Sequence, residues 1–213
     1  MPLHTSDALI LRTYALGESD RIVVFLTRDR GKKRGVAKNA RQSRRRFGGA
    51  LEPLTYGRVG YVERERRDLV RLDYVEPLRS PLSAVDGAAL GYVSYFAELI
   101  DEWAQEADPN ETLFRLGASM TEAIAAGVPI EPLARYFEFW LLRLQGVYEV
   151  DRRLSADAQA FLTAARSSSP AALSHVEVSR AALRELEASH RALIAMHLEK
   201  DLKSIRVLRE MRR

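Results

Sequence analysis

The densest chemistry in this chain lies between Arg28 and Arg46, where the sequence reads RDRGKKRGVAKNARQSRRR. Ten of these nineteen side chains are cationic: Arg28, Arg30, Lys32, Lys33, Arg34, Lys38, Arg41, Arg44, Arg45 and Arg46. Asp29 is the single acid. The 213-residue chain holds 33 basic and 29 acidic residues, net +4, so a window of net +9 leaves net −5 for the rest. Such asymmetry suits a polyanionic partner. Several cations along one track neutralise phosphates, and each contact releases a counterion. A loop charged for solubility alone needs fewer. Lys32, Lys33, Arg34, Lys38, Arg41, Arg44, Arg45 and Arg46 are the expected phosphate contacts. Phe47 follows the arginine triplet and joins them as an aromatic neighbour, while Gly48 and Gly49 shape the loop. Single-strand binders place aromatic planes beside such grooves for bases to stack on. Tyr14, Tyr56, Tyr61 and Tyr74 lie in the same part of the chain, although most strand tyrosines pack in cores or at rims.

Other chemistries find less support. Gly31-Lys32-Lys33 and Gly48-Gly49 lack the G-x-x-x-x-G-K-[ST] spacing of a phosphate loop and read as turn glycines. His190 and His197 stand seven apart on one expected helix, whereas helical metal pairs use i and i+4 with a carboxylate nearby. His4 and His175 are isolated, and no metal or cofactor is expected. Glu98, Asp101 and Glu102 fall on the polar side of an apolar stripe, as on a solvated helix face. No Ser-His-Asp or paired-acid arrangement stands out, so no enzymatic activity is expected. The absence of cysteine rules out disulfides and thiolate metal sites within these residues. The stretch MPLHTSDALILRTYALGES shows no leader pattern. No apolar run approaches the roughly 18 residues that span a bilayer. A soluble, cytoplasmic protein without a membrane partner is expected.

The basic window must be positioned by short strands. ALILRTYA (8–15), RIVVFLT (21–27), KKRGVAK (32–38), TYGRVGYVER (55–64) and LVRLDYVE (69–76) carry the β-branched and aromatic content of strands. Tyr56, Arg58, Gly60 and Val62 alternate with Val59 and Tyr61, and Val70, Leu72 and Tyr74 share a face. Gly17 and Gly31 supply turns, and 39–54 is the one long connection. Five strands with one long connection match the count of the oligonucleotide-binding barrel. Beyond Pro77 and Pro81 the period changes to helical. Tyr92, Val93, Phe96, Leu99, Ile100 and Trp103 form one stripe. Leu113, Leu116, Met120 and Ile124 form a second, capped by Asn110 and ended by Gly127 and Pro129. The strongest stripe runs from Leu133 through Tyr136, Phe137, Trp140 and Leu141 to Leu144, closed by Gly146; it reads as core, although an exposed part could hold an apolar peptide. Ser155 caps a short helix through Phe161 and Leu162, and Ser179 caps one last helix reaching Leu208. The fold class is therefore α+β, with a barrel domain over 1–80 and a helical bundle over 81–213.

These residues converge on a known family. ALILRTYALGESDRIVVFLT (8–27) resembles the amino-terminal strands of the RecO family. GVAKNARQSRRRFGGALEPLT (35–55) is similar to that family's most distinctive stretch, which runs roughly G-V-A-K-G-A-R, then basic residues, then R-F-G-G-x-L-x-P. FEFWLLRLQGVYE (137–149) resembles its central helix and LEKDLKSIRVL (198–208) its carboxy-terminal helix, with Leu202-Lys203-Ser204 as the matching core. The matches fall in order over most of the chain. The resemblance implies a barrel followed by a helical domain, binding to single- and double-stranded DNA, and annealing of complementary strands. It also implies partnership with RecR and with the acidic, apolar tail of single-strand-binding protein, and indirectly with RecA, which is loaded onto coated strands. Many members carry four zinc-binding cysteines after the central helix; VYEVDRRLSAD (147–157) stands there without one, as if the module were deleted. The alternatives are an RNA- or ribosome-associated barrel protein, a peptide-binding adaptor and a nuclease.

Overall fold

The computed structural model describes residues 2–43, 46–63, 68–85, 87–149, 151, 153–200 and 202–211. Among these residues five strands, β1 (Leu3–Leu16), β2 (Asp20–Thr27), β3 (Gly31–Ala37), β4 (Tyr56–Val62) and β5 (Val70–Arg79), close into a barrel in the order β1-β2-β3-β5-β4. All neighbours are antiparallel except β3 and β5, which run parallel over a short contact, Gly35↔Val70 to Ala37↔Leu72. This is the oligonucleotide-binding barrel topology. β1 begins five residues earlier than its β-rich run suggests, because Leu3–Leu9 pairs along β4.

The apolar runs of β1 and β2 do not alternate because both of their faces are covered. Ala8, Ile10, Val23 and Phe25 point into the barrel. Leu9, Leu11, Val24 and Leu26 point outward into a second core shared with the helices. The long connection between β3 and β4 plugs the barrel with Phe47, Ala50 and Leu51. It is tied to β1 where Leu54 N donates to Ile10 O at 2.7 Å and Ile10 N to Thr55 O at 2.9 Å. In β5, Val70 and Leu72 face inward as their spacing suggests, but Tyr74 does not join the barrel core. A register shift opposite Gly60/Tyr61 inserts an extra residue, so Val75 takes the inward place and Tyr74 lies across Gly60. A side chain at Gly60 would collide with that ring.

Among the described residues six α-helices follow: α1 (Gly87–Trp103), α2 (Glu111–Ala125), α3 (Ile130–Leu144), α4 (Ala156–Ser167), α5 (Arg180–Leu198) and α6 (Lys203–Met211). Asn110, Ser155 and Ser179 cap α2, α4 and α5 by accepting from Leu113 N, Ala158 N and Ala182 N. The last apolar stripe is not one helix. Glu199 takes a left-handed conformation (φ 51°), ending α5 before α6 begins. Glu98 of α1 stabilises the new start: its carboxylate accepts from Lys203 N (3.1 Å), Ser204 N (2.8 Å) and Ser204 Oγ. Asp101 and Glu102 likewise do not form the solvated face that their spacing suggests. Asp101 takes Arg12 Nη2 at 2.8 Å and Lys32 Nζ at 3.2 Å, while Glu102 holds Lys200. These acids join the barrel and α6 to α1.

A buried charge network lies among α1, α3 and α5. Glu138 accepts from Tyr95 Oη and Arg135 Nη2, both at 2.9 Å, and lies 3.2 Å from His190 Nδ1. Arg135 also reaches Glu187 at 3.4 Å. Burial, reinforced by the Glu138 charge, pushes the Tyr95 hydroxyl well above its ordinary pKa. Among the described residues no helix is long and apolar enough to cross a membrane.

Candidate nucleic-acid interface

The helices cover the outer face of β1 and β2 over Leu9, Leu11, Val24 and Leu26 and leave the rest of that face open. Strand alternation puts Tyr14, Ile22 and Val36 outward in one cross-strand row, Tyr14↔Ile22↔Val36, which continues to Arg71 across the parallel contact. Tyr14 is 45% exposed and Leu16 38%, whereas Ile22 and Val36 are half-buried between their neighbours. Arg12 Nη1 donates to Tyr14 Oη at 3.1 Å and sets the phenol's position. The adjacent row, Arg12↔Val24↔Arg34, brings guanidiniums to the edge of this platform. An exposed aromatic ring on a flat, partly apolar surface edged by cations is the arrangement on which single-stranded bases stack.

The structure divides the basic window by task. Two of its cations join the barrel to the helices. Arg28 donates to Glu111 through Nε (3.2 Å) and Nη2 (2.7 Å), which holds the Glu111 carboxyl below its usual range. Lys32, with its side chain only 15% exposed, donates to Asp101 O at 2.6 Å and to its carboxylate. The backbone seals the same seam, since Lys32 N donates to Gln105 O and Ala107 N to Lys32 O. Gly31, at φ 68°, lets the turn come so close that a Cβ there would lie 2.4 Å from the Asp108 nitrogen. Two more cations brace the barrel. Lys33 Nζ pairs with Glu63 at 2.9 Å, and that hydrogen bond lowers the Glu63 pKa. Arg46 donates to Ser43 Oγ and Lys38 O and stands 5.1 Å over the Phe47 ring.

Arg34, Lys38 and Arg41 face solvent. Arg34 approaches Glu106 only to 3.9 Å. Arg41 donates to the Glu18 carbonyl, which anchors it beside the β1–β2 turn without neutralising it. Among the described residues Lys38 meets no carboxylate. Arg44 and Arg45 lie outside the described residues. Phe47 does not reach the surface as its place beside the arginines suggests: it is 1% exposed, inside the barrel. Of the tyrosines, Tyr61 is fully buried, and burial pushes its hydroxyl up to about 12. Tyr56 packs on Phe114, and Tyr74 is half-buried over Gly60. That leaves Tyr14, with Arg71, Ile22 and Val36 as face residues that sequence spacing did not single out. Their shared row depends on strand register, which short-range spacing does not carry.

The stretch 39–51 has a structural explanation. Asn39 sits at φ 53°, where glycine or asparagine is most easily accommodated. Its nitrogen donates to Asp20 Oδ1 at 2.8 Å and its side chain accepts from Ser19, locking the loop to the β1–β2 turn. Phe47 and Leu51 then plug the barrel. A family model described as recombination protein O N terminal matches residues 1–81, and one described as recombination protein O C terminal matches 84–150. The chain belongs to the RecO family. Asn39 stands where the family's stretch has glycine, and the left-handed backbone accounts for both residues. Among curated proteins, the chain is 48% identical over 148 residues to the DNA repair protein RecO of Koribacter versatilis, covering 68% of this chain and 59% of that one. It is 40% identical over 141 residues to that of Anaeromyxobacter sp. (65% and 55%) and 40% over 153 residues to that of Geobacter sulfurreducens (71% and 60%). The chain thus spans less than two thirds of the length of these relatives.

Proposed function

We propose that this protein is a non-enzymatic recombination mediator in DNA repair, which binds single- and double-stranded DNA and anneals complementary strands. The observation that carries the reading is the Tyr14–Ile22–Val36–Arg71 row with Arg34, Lys38 and Arg41 around it, on the barrel face where such folds take oligonucleotides. Bases stack on Tyr14 while the cations neutralise the backbone. Two strands held in reduced repulsion then pair by their own complementarity, and the protein makes or breaks no bond. Arg44 and Arg45 belong to the same chemical set by sequence. In a cytoplasmic, nucleoid-associated setting the partners are DNA, RecR, the tail of single-strand-binding protein and, indirectly, RecA. The tail's chemistry suits the cleft of about 310 Å3 between α2 and α3, where Leu116, Tyr136, Trp140 and Leu144 lie beside Arg115. No cofactor enters this reading.

The test is annealing of two labelled complementary oligonucleotides coated with single-strand-binding protein, across a salt series. Acceleration is expected, and a Lys38→Glu/Arg41→Glu variant should lose it while remaining folded. With about five phosphates engaged, single-strand affinity should fall with a log–log salt slope of roughly −3.5. Unchanged annealing by the variant would remove this surface from the site, and preferential competition by RNA of the same sequence would shift the reading to an RNA-binding barrel.

A further inference from the structure

The break between α5 and α6 opens a groove of about 500 Å3 whose walls, among the described residues, contain four cations, Arg191, Lys200, Lys203 and Arg206, and no acid. Its floor includes Ile194 and Leu202, both buried, and Ala195. Arg191 is paired with Glu187 and Lys200 with Glu102. Among the described residues neither Lys203 nor Arg206 meets a carboxylate, and both are exposed. Glu98 is engaged with the backbone and hydroxyl at the start of α6, so it leaves the Lys203 ammonium unneutralised.

The groove is linked to the barrel face. Glu102 holds Lys200 and lies 3.8 Å from Arg12 Nη2, and Arg12 in turn holds Tyr14. The groove and the barrel face are therefore joined by a paired cluster, Arg12, Glu102 and Lys200, with Tyr14 on one side of it and the exposed cations Lys203 and Arg206 on the other. Among the described residues no aromatic side chain lines the groove, so bases have nothing to stack on there. What the walls offer is charge at successive helical turns, which suits a sugar–phosphate backbone. We infer that the α5–α6 groove binds the phosphodiester backbone of DNA and extends the track that starts on the barrel face. This rests on the DNA-binding reading above. It adds a sequence-neutral segment beyond the stacking platform, so a long strand engages both and a short one only the platform.

The experiment measures affinity by fluorescence anisotropy across a salt series, using the whole protein with an oligothymidylate of about 10 nucleotides and one of about 30. For Lys203→Gln/Arg206→Gln, the log–log slope for the long oligonucleotide should become shallower by about 1.4, the loss of two phosphate contacts. Its affinity should fall several-fold, while the short oligonucleotide is unaffected. The charge-reversed pair Lys203→Glu/Arg206→Glu should exaggerate the difference, and the neutral pair guards against misfolding. Equal affinities and slopes for variant and parent on the long oligonucleotide would overturn the inference. So would an acidic peptide such as oligoglutamate binding in a variant-sensitive way while DNA binding stays unchanged, which would make the groove a peptide dock. The Lys38→Glu/Arg41→Glu barrel variant separates the two readings: if it alone leaves both oligonucleotides bound as in the parent, the platform fails, whatever α6 does.

Discussion

Lys32 and Lys38 lie six residues apart in one basic run, yet the fold uses them in opposite ways. Lys32 is nearly enclosed, with its ammonium between the Asp101 carbonyl and carboxylate. Lys38 stands in solvent at the end of β3, and among the described residues it has no acid beside it. The same contrast recurs on a larger scale between the 38–46 loop and the Arg135–Glu138–His190 network. In the loop, cations are held by neutral carbonyls and keep their charge available. In the network, the Arg135 guanidinium is enclosed with the Glu138 carboxylate. Charges that hold the protein together are neutralised internally, whereas Lys38 and Arg41 face solvent and, among the described residues, have no carboxylate beside them. A net charge of +9 in a window is therefore not nine phosphate contacts.

The largest expected effect comes from the enclosed side of this contrast. Glu138→Ala leaves Arg135 buried without its main counter-charge and should cost about 3–5 kcal/mol. Denaturant unfolding would show it, and a loss under 1 kcal/mol would mean that water or a rearranged Glu187 replaces the carboxylate. Phe47→Ala should cost a similar 3–5 kcal/mol by emptying the barrel plug. The sharper variant is Phe47→Leu, which should keep DNA affinity; affinity lost at unchanged stability would put the ring on DNA. Third, Lys32→Gln should lower stability by about 2 kcal/mol through its charged hydrogen bonds, with the salt slope of DNA binding unchanged. Lys38→Gln should do the reverse, reducing the slope by about 0.7 with unchanged stability. If the two behaved alike, the division of the window by task would collapse. Tyr14→Ala should weaken single-strand binding by about 1–3 kcal/mol, with Tyr14→Phe close to the parent. The smallest effect concerns pH. Asp157 accepts from Ser179 and Glu185 from Ser155, and these hydrogen bonds depress both carboxyl pKa values. A depressed folded-state pKa stabilises above the unfolded value and is lost as pH falls through the folded one. Carboxyl titration by NMR should therefore give midpoints below the ordinary Asp and Glu values at these two sites.

Much of the architecture could be read directly. The caps Asn110, Ser155 and Ser179, the stops at Gly127 and Gly146, and the five strand runs depend on residues close in sequence. Where the reading failed, a distant residue intervened. Tyr74 is displaced by a bulge against β4, which no period-two count within β5 reveals. The final helix breaks after Leu198 although the apolar spacing continues, because Glu98, over a hundred residues away, stabilises a second start at Lys203. Glu98, Asp101 and Glu102 have the spacing of a solvated face, and only packing shows that three other elements cover them. Phe47 is adjacent in sequence to arginines and remote from them in environment, since one residue's step along a loop can take a ring from solvent into a core.

By itself the sequence determined the element types, the family and the place where positive charge concentrates, because propensity, capping and charge are properties of residues near one another in the chain. The tertiary structure decided which cations remain available, which tyrosine faces solvent and which strand residues share a row. Those outcomes depend on register and on counter-charges brought from distant segments, and both are set only when the barrel closes and the helices pack against it.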